Sequence, residues 1–266
     1  MEAIFCSYNR AKGGTLLPLR LTADWESAKA DALVSPLLVA TYFERGVETG
    51  VLVAARQQLE NGAPNGSHVS GANLSVYIFR KKNKRWVYQI GKRNVIEDGS
   101  WGNPPGAQLV RLGEERFGLA LNSGSCGQGQ CDSGFIFIAI SEPSFPILGY
   151  FSTGEDNGGA CTPDPYEQKS IGIAPCFSNE GFVELFRLPN SAYHGLRITY
   201  QGTANDKKSF HKVVPKNESL CYRMVGSAYK LVNDPACRNY KPLSAVNKNK
   251  GSTTEVSPRI TRPSHD

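Results

Sequence analysis

The most site-like stretch of this sequence is Gly154-Glu155-Asp156-Asn157-Gly158-Gly159-Ala160-Cys161-Thr162-Pro163-Asp164. It gathers three carboxylates, an amide and flexible glycines. Calcium takes several hard oxygens from carboxylates, amides and backbone carbonyls. Asp156, Asn157 and Asp164 could offer them, although the EF-hand spacing is absent. The plainer expectation is a disulfide-pinned surface loop that needs no cofactor, with Asn157-Gly158 as a turn. Two carboxyl groups about 5–10 Å apart could instead serve a glycosidase. The candidates for that pair are Glu155 or Asp156 with Asp132 or Glu180.

Six cysteines group into three local pairs: Cys126 with Cys131, Cys161 with Cys176, and Cys221 with Cys237. Loops of roughly 15 residues gain about 3 kcal/mol each from closure in the chain-entropy model. Three such pairs point to an oxidising compartment, periplasmic or secreted. The spacing of Cys126 and Cys131 would also suit a zinc knuckle, but the other spacings supply no second close pair. Cys6 is left over: a free thiol, an intermolecular link, or part of a trimmed leader. Met1–Cys6 has neither a basic nor a long apolar stretch, so a leader is expected to have been removed or to lie upstream. The sequons at Asn65, Asn73 and Asn217 are near chance for this length.

Histidine is scarce, with only His68, His194, His211 and His265. A set drawn from Ser209, His211 and Asp206 would crowd one short loop and lacks an oxyanion hole. His194, at a strand entrance, is carried as a binding candidate. Trp101 lies among Gly102, Pro104 and Pro105 and offers a stacking surface for sugar or protein. The nucleophile elbow, the zincin motif, the phosphate loop and the dinucleotide fingerprint are all missing.

The elements that must position these residues read as strands. The chain has 266 residues, 40% hydrophobic and 20% charged, which suits a globular β protein. Its longest largely apolar run, Leu33 to Phe43, is too short to span a bilayer as a helix. About twelve or thirteen short strands alternate with Gly- and Pro-rich turns, which predicts an antiparallel sandwich or a small propeller-like domain. The one expected helix covers Ala23–Leu33, with Thr22 as its cap and Pro36 as its stop. The expected layout is an irregular lead-in over residues 1–22, one β-rich domain over 23–237, and a disordered basic tail over 238–266.

The net charge is +6; the tail carries six Lys or Arg against Glu255 and Asp266, leaving +2 on residues 1–237. That near balance argues against a nucleic-acid groove, whose affinity comes from neutralised phosphates. One basic cluster stands out, Arg80-Lys81-Lys82-Asn83-Lys84-Arg85, and reads as a solvated hairpin turn. Taken together, the sequence predicts a non-catalytic, bacterial-type extracytoplasmic binding protein such as an inhibitor, immunity or envelope-recognition module. Its expected partner is a protein or an envelope polymer, and its expected tools are long pinned loops. A secreted hydrolase is the alternative.

Overall fold

A computed structural model describes residues 13–18, 31–67, 70–140, 143–206 and 209–243. The described chain is mostly antiparallel strand. Contacts divide it into two compact units, one drawn from Met1–Gln108 with Pro143–Phe145, the other from Leu109–Glu142 with Pro146–Asp266.

The first unit holds an open six-stranded sheet. Its strands are β1 (Thr15–Pro18), β2 (Asp31–Glu44), β3 (Val47–Glu60), β4 (Ala63–Pro64), β5 (Ala72–Lys82) and β6 (Arg85–Asp98). They run in the order β1-β2-β3-β5-β6, with β4 on β3. Tight hairpins are possible because the turn pairs Arg45-Gly46, Asn61-Gly62 and Asn83-Lys84 all take positive φ. That twist matches the right-handed twist of the flanking strands. Val51, Val53, Ala55, Leu74, Val76 and Ile78 are buried along β3 and β5.

The second unit holds an open nine-stranded sheet in the order β17-β16-β14-β13-β10-β9-β8-β7, with β15 on β14. These strands are β7 (Gly106–Arg111), β8 (Phe117–Gly127), β9 (Gln130–Ala139), β10 (Ile147–Asp156), β13 (Ser178–Phe186), β14 (Gly195–Asp206), β15 (Ser209–Pro215), β16 (Ser219–Val225) and β17 (Ala228–Val232). A small parallel pair, β11 (Cys161–Thr162) and β12 (Ala174–Pro175), flanks the single described α-helix, α1 (Pro165–Ser170).

An aromatic cluster gives this unit its sandwich-like packing. Phe135 and Phe151 stack at 5.1 Å, and Tyr222 meets Phe151 edge-on at 5.1 Å. Tyr229 lies 5.9 Å from Phe151 and 6.1 Å from Phe137. Side chains from β9 and β10 thereby bury those of β16 and β17, each ring contributing a large apolar area. The Tyr229 hydroxyl stays satisfied by donating to the His194 carbonyl at 2.9 Å.

The all-β antiparallel reading holds, and both sheets are open. The strands are fewer hairpin stubs and more long ladders than expected: β2, β3 and β6 each reach 14 residues. The expected helix over Ala23–Leu33 is corrected at its end, because Asp31, Ala32 and Leu33 pair in β2. Ala32 and Leu33 find partners on both β1 and β3, and those ladder bonds outweigh local helix propensity. Residues 23–30 lie outside the described residues, as do Cys6, His68, His265 and the tail beyond Leu243.

The segment after β17 is tied down. Arg197 is buried and ion-pairs with Glu184 at 2.7 Å. Its guanidinium also donates to the carbonyls of Cys237, Arg238 and Tyr240 at 2.9–3.3 Å. Tyr240 stacks on Phe186 at 4.9 Å, and Leu243 donates to the Leu185 carbonyl. Arg197→Met keeps the volume but strands three carbonyls and one carboxylate, which should cost about 2–3 kcal/mol. Amide hydrogen exchange checks it: residues 237–243 should lose protection in the variant while β9 and β10 keep theirs.

Candidate functional site

Two disulfide-closed segments meet at one end of the nine-stranded sheet. The first is the tip of the β8–β9 hairpin. Gln128 and Gly129 form its turn with φ of 51° and 77°. Cys126 and Cys131 face each other across the strands and are bonded, with Cα atoms 4.1 Å apart. What reads in sequence as a glycine-rich loop is therefore a continuous ladder with a cross-strand disulfide.

The second segment leaves β10 at Asp156 and returns at β13, closed by Cys161–Cys176. Asn157 organises it from within. Its side chain is buried, donates to the Pro175 carbonyl at 2.9 Å and accepts from the Phe177 amide at 2.7 Å. The amide thus imitates a strand pairing. Asp164 caps α1, accepting from the Tyr166 amide at 2.8 Å, and Pro165 occupies the first turn. Thr162 donates to Glu167 at 2.6 Å, and Gln168 donates back to the Thr162 carbonyl at 2.9 Å. A six-residue helix, too short to stand alone, is held at both ends.

The two segments touch through bare backbone. The Gly159 amide donates to the Gly129 carbonyl at 3.0 Å. A Cβ on Gly129 would fall 2.3 Å from the Gly159 carbonyl carbon, so no side chain fits there.

Acidic residues cluster beside this contact. Asp132 and Glu155 are cross-strand partners, and Glu180 stands opposite Gly154. Cross-strand Cβ atoms lie about 4.5–5.5 Å apart, so the first pair comes from neighbouring positions, as a two-carboxylate reaction requires. Both are exposed, however, and Asp132 is occupied. It accepts from Ser125 Oγ at 2.7 Å, from the Ser125 amide at 3.2 Å and from the Tyr150 hydroxyl at 3.3 Å. Lys216 lies 4.0 Å from Glu155, donates to Asn179 at 3.2 Å and sits 4.3 Å over the Tyr200 ring. Burial and the neighbouring Tyr222 raise the Tyr200 phenol to about 12. A general acid at neutral pH is held in a dry pocket, whereas both of these carboxylates are exposed. One open groove of this unit, lined by Tyr200, Glu218, Ser219 and Arg238 among others, does not include Asp132, Glu155 or Glu180.

The calcium reading finds little to use. Asn157 and Asp164 are engaged in backbone hydrogen bonds, and Asp156 accepts from the Gly158 amide at 3.3 Å. Among the described residues no group of three or more His, Cys, Asp or Glu side chains is placed to hold a metal ion.

The remaining sequence candidates belong to other elements. Trp101 belongs to the first unit, exposed at a turn with φ of 56°. Gly102 beside it accepts from Gln57 and donates to the Ser70 carbonyl, which fixes the turn. His194 is buried in the second unit, its amide donating to the Leu112 carbonyl at 2.7 Å. The third disulfide, Cys221–Cys237, fastens the terminal segment rather than the acidic end.

Tyr166, Ile171 and Lys216 are the site features that sequence reasoning missed. For the first two a signal existed: Asp164-Pro165-Tyr166-Glu167 is a helix start, with cap, proline and acidic first turn. For Lys216 no local signal exists. No family model matches the sequence, and no curated protein or solved structure shows significant similarity to it.

Burial, with help from the positive charges of Arg111 and Arg187, lowers the His194 pKa from 6.5 to about 4. Glu114 opposes the shift weakly. Above pH 6.5 the ring is neutral in both states and adds no pH dependence. Between there and about pH 4, the unfolded chain binds a proton that the folded chain refuses, so stability falls as pH falls. The loss should approach roughly 3 kcal/mol at most. Thermal melts of wild type and His194→Gln across this range check it. The wild-type slope should be the steeper one.

Proposed function

We propose that the protein is a non-catalytic, extracytoplasmic binding protein, and that the disulfide-closed end of the nine-stranded sheet is its recognition surface. The observation that carries the reading is the display of Tyr166 and Ile171, 77% and 65% exposed, on a loop fixed by a disulfide. Large apolar side chains normally stay mobile or buried. Carried outward on a backbone closed by a disulfide, they need less ordering of the loop on binding and make good anchors.

Charge narrows the partner. Residues 154–176 carry Glu155, Asp156, Asp164 and Glu167 against Lys169 alone. A protein with a basic rim around an apolar pocket complements this surface. Three disulfides support an oxidising location. None of the described helices is long and apolar enough to cross a membrane.

The secreted-hydrolase alternative rests on the Asp132–Glu155 pairing and needs a substrate cleft around it. The two readings part on one comparison. Tyr166→Ala with Ile171→Ser should abolish capture of a specific partner from the secreted and envelope fractions of the source cells. Asp132→Asn should leave capture within about threefold, since it lies beside the anchors rather than among them. Polysaccharide cleavage that disappears in Asp132→Asn, with capture unaffected by the Tyr166 and Ile171 changes, would overturn the binding reading.

A further inference from the structure

The first unit carries a surface that the preceding reading does not use. Its two long hairpins, β2–β3 and β5–β6, end at the same edge of the sheet. The register makes this plain: Glu44 pairs with Val47, Thr49 with Arg80, and Lys82 with Arg85. Apolar side chains stand exposed there. Phe43 is 51% exposed, Trp86 45% and Tyr88 55%, with Val47 and Val87 beside them.

Cations crowd the same tips. Arg45, Arg80, Lys81, Lys82, Lys84 and Arg85 face only Glu44 and Glu48, a local charge of +4. Arg80 pairs with Glu44 at 3.5 Å and Lys81 with Glu48 at 2.7 Å. Lys82, Lys84 and Arg85 are exposed and have no acidic partner among the described residues. Lys84 also sits at φ 64°, in the left-handed region where a tight hairpin turn favours glycine.

We infer that these paired hairpin tips dock on an anionic phospholipid surface, cations on the headgroups and Phe43, Trp86 and Tyr88 at the interfacial level. Charge and shape both select this occupant. Exposed Trp and Tyr suit the boundary between headgroups and acyl chains, where one part of the ring is wet and one dry. Each basic residue near an anionic membrane adds a similar increment of attraction, without needing a shaped pocket.

A single nucleic-acid strand would need open ring faces for bases to stack upon. Part of the Trp86 ring is already covered. One face lies over Gly50, close enough that a Cβ there would be 3.2 Å from the ring, and Lys81 sits 5.6 Å over its centroid. Tyr88 is engaged edge-on with Phe79 at 5.9 Å. Both rings are thus already engaged within the sheet, which leaves less open face for a base to stack upon.

Flotation of the full chain with vesicles tests this. It should float with phosphatidylcholine vesicles containing phosphatidylglycerol and stay behind with phosphatidylcholine alone, and salt should release it. Changing Lys82, Lys84 and Arg85 together to Gln should weaken binding on the order of a hundredfold. Phe43→Ser, in the other hairpin, should weaken it independently, which separates membrane contact from a local defect at the turn. Native disulfides and an unchanged circular dichroism spectrum qualify each variant. Equal flotation with neutral vesicles, no flotation at low salt, or tighter binding to oligo-dT than to the anionic vesicles would each overturn the inference.

Discussion

Phe151 is where the nine-stranded sheet meets itself. It stacks on Phe135, receives the edge of Tyr222 and lies against Tyr229, so four strands share one aromatic centre. Interiors packed this way transmit position accurately, because a close-packed ring cannot shift without moving its neighbours. The consequence reaches beyond stability. Strand β10 carries Phe151 at its centre and Glu155, Asp156 and Asn157 at its end. A strand anchored in the aromatic core is therefore the one that leads into the disulfide-closed loop.

That loop is then fixed a second time. The backbone contact between Gly159 and Gly129 joins it to a hairpin tip that has its own disulfide. Asn157 stitches its base, and Asp164 starts the short helix that lifts Tyr166 and Ile171 outward. Polar residues that looked like ligands are spent on internal geometry. What remains for a partner is an apolar pair in an acidic surround. On the binding reading proposed above, affinity would come from the preorganisation of this loop.

Much of this was legible in the sequence, and the rest was hidden for physical reasons. Nearest-neighbour pairing of the cysteines was one of fifteen connectivities open to the sequence, and the structure has it. Alternating apolar residues mark β5, and the continuous apolar run Phe135–Ile140 marks β9. The glycines and serines from Ser123 to Gly134 concealed a ladder, because weak β propensity there is overridden by the cross-strand disulfide and by pairing on both sides. Ala23–Leu33 carries strong helix formers, yet its last three residues gain more from strand partners than from a helical turn. Asn157 and Asp164 show the limit most clearly. Their types suit calcium, but only the fold reveals that their oxygens already accept backbone amides. Lys216, 61 residues from Glu155 in the chain, meets it only because β10, β13 and β14 lie side by side.

Disulfide mapping of the protein isolated unreduced from its native source tests the central claim most directly. The account predicts three peptide pairs, Cys126–Cys131, Cys161–Cys176 and Cys221–Cys237. Free thiols at Cys126, Cys131, Cys161 and Cys176, or crossed pairings among them, would contradict it, because the loops that present Tyr166 and Ile171 would then have no fixed shape.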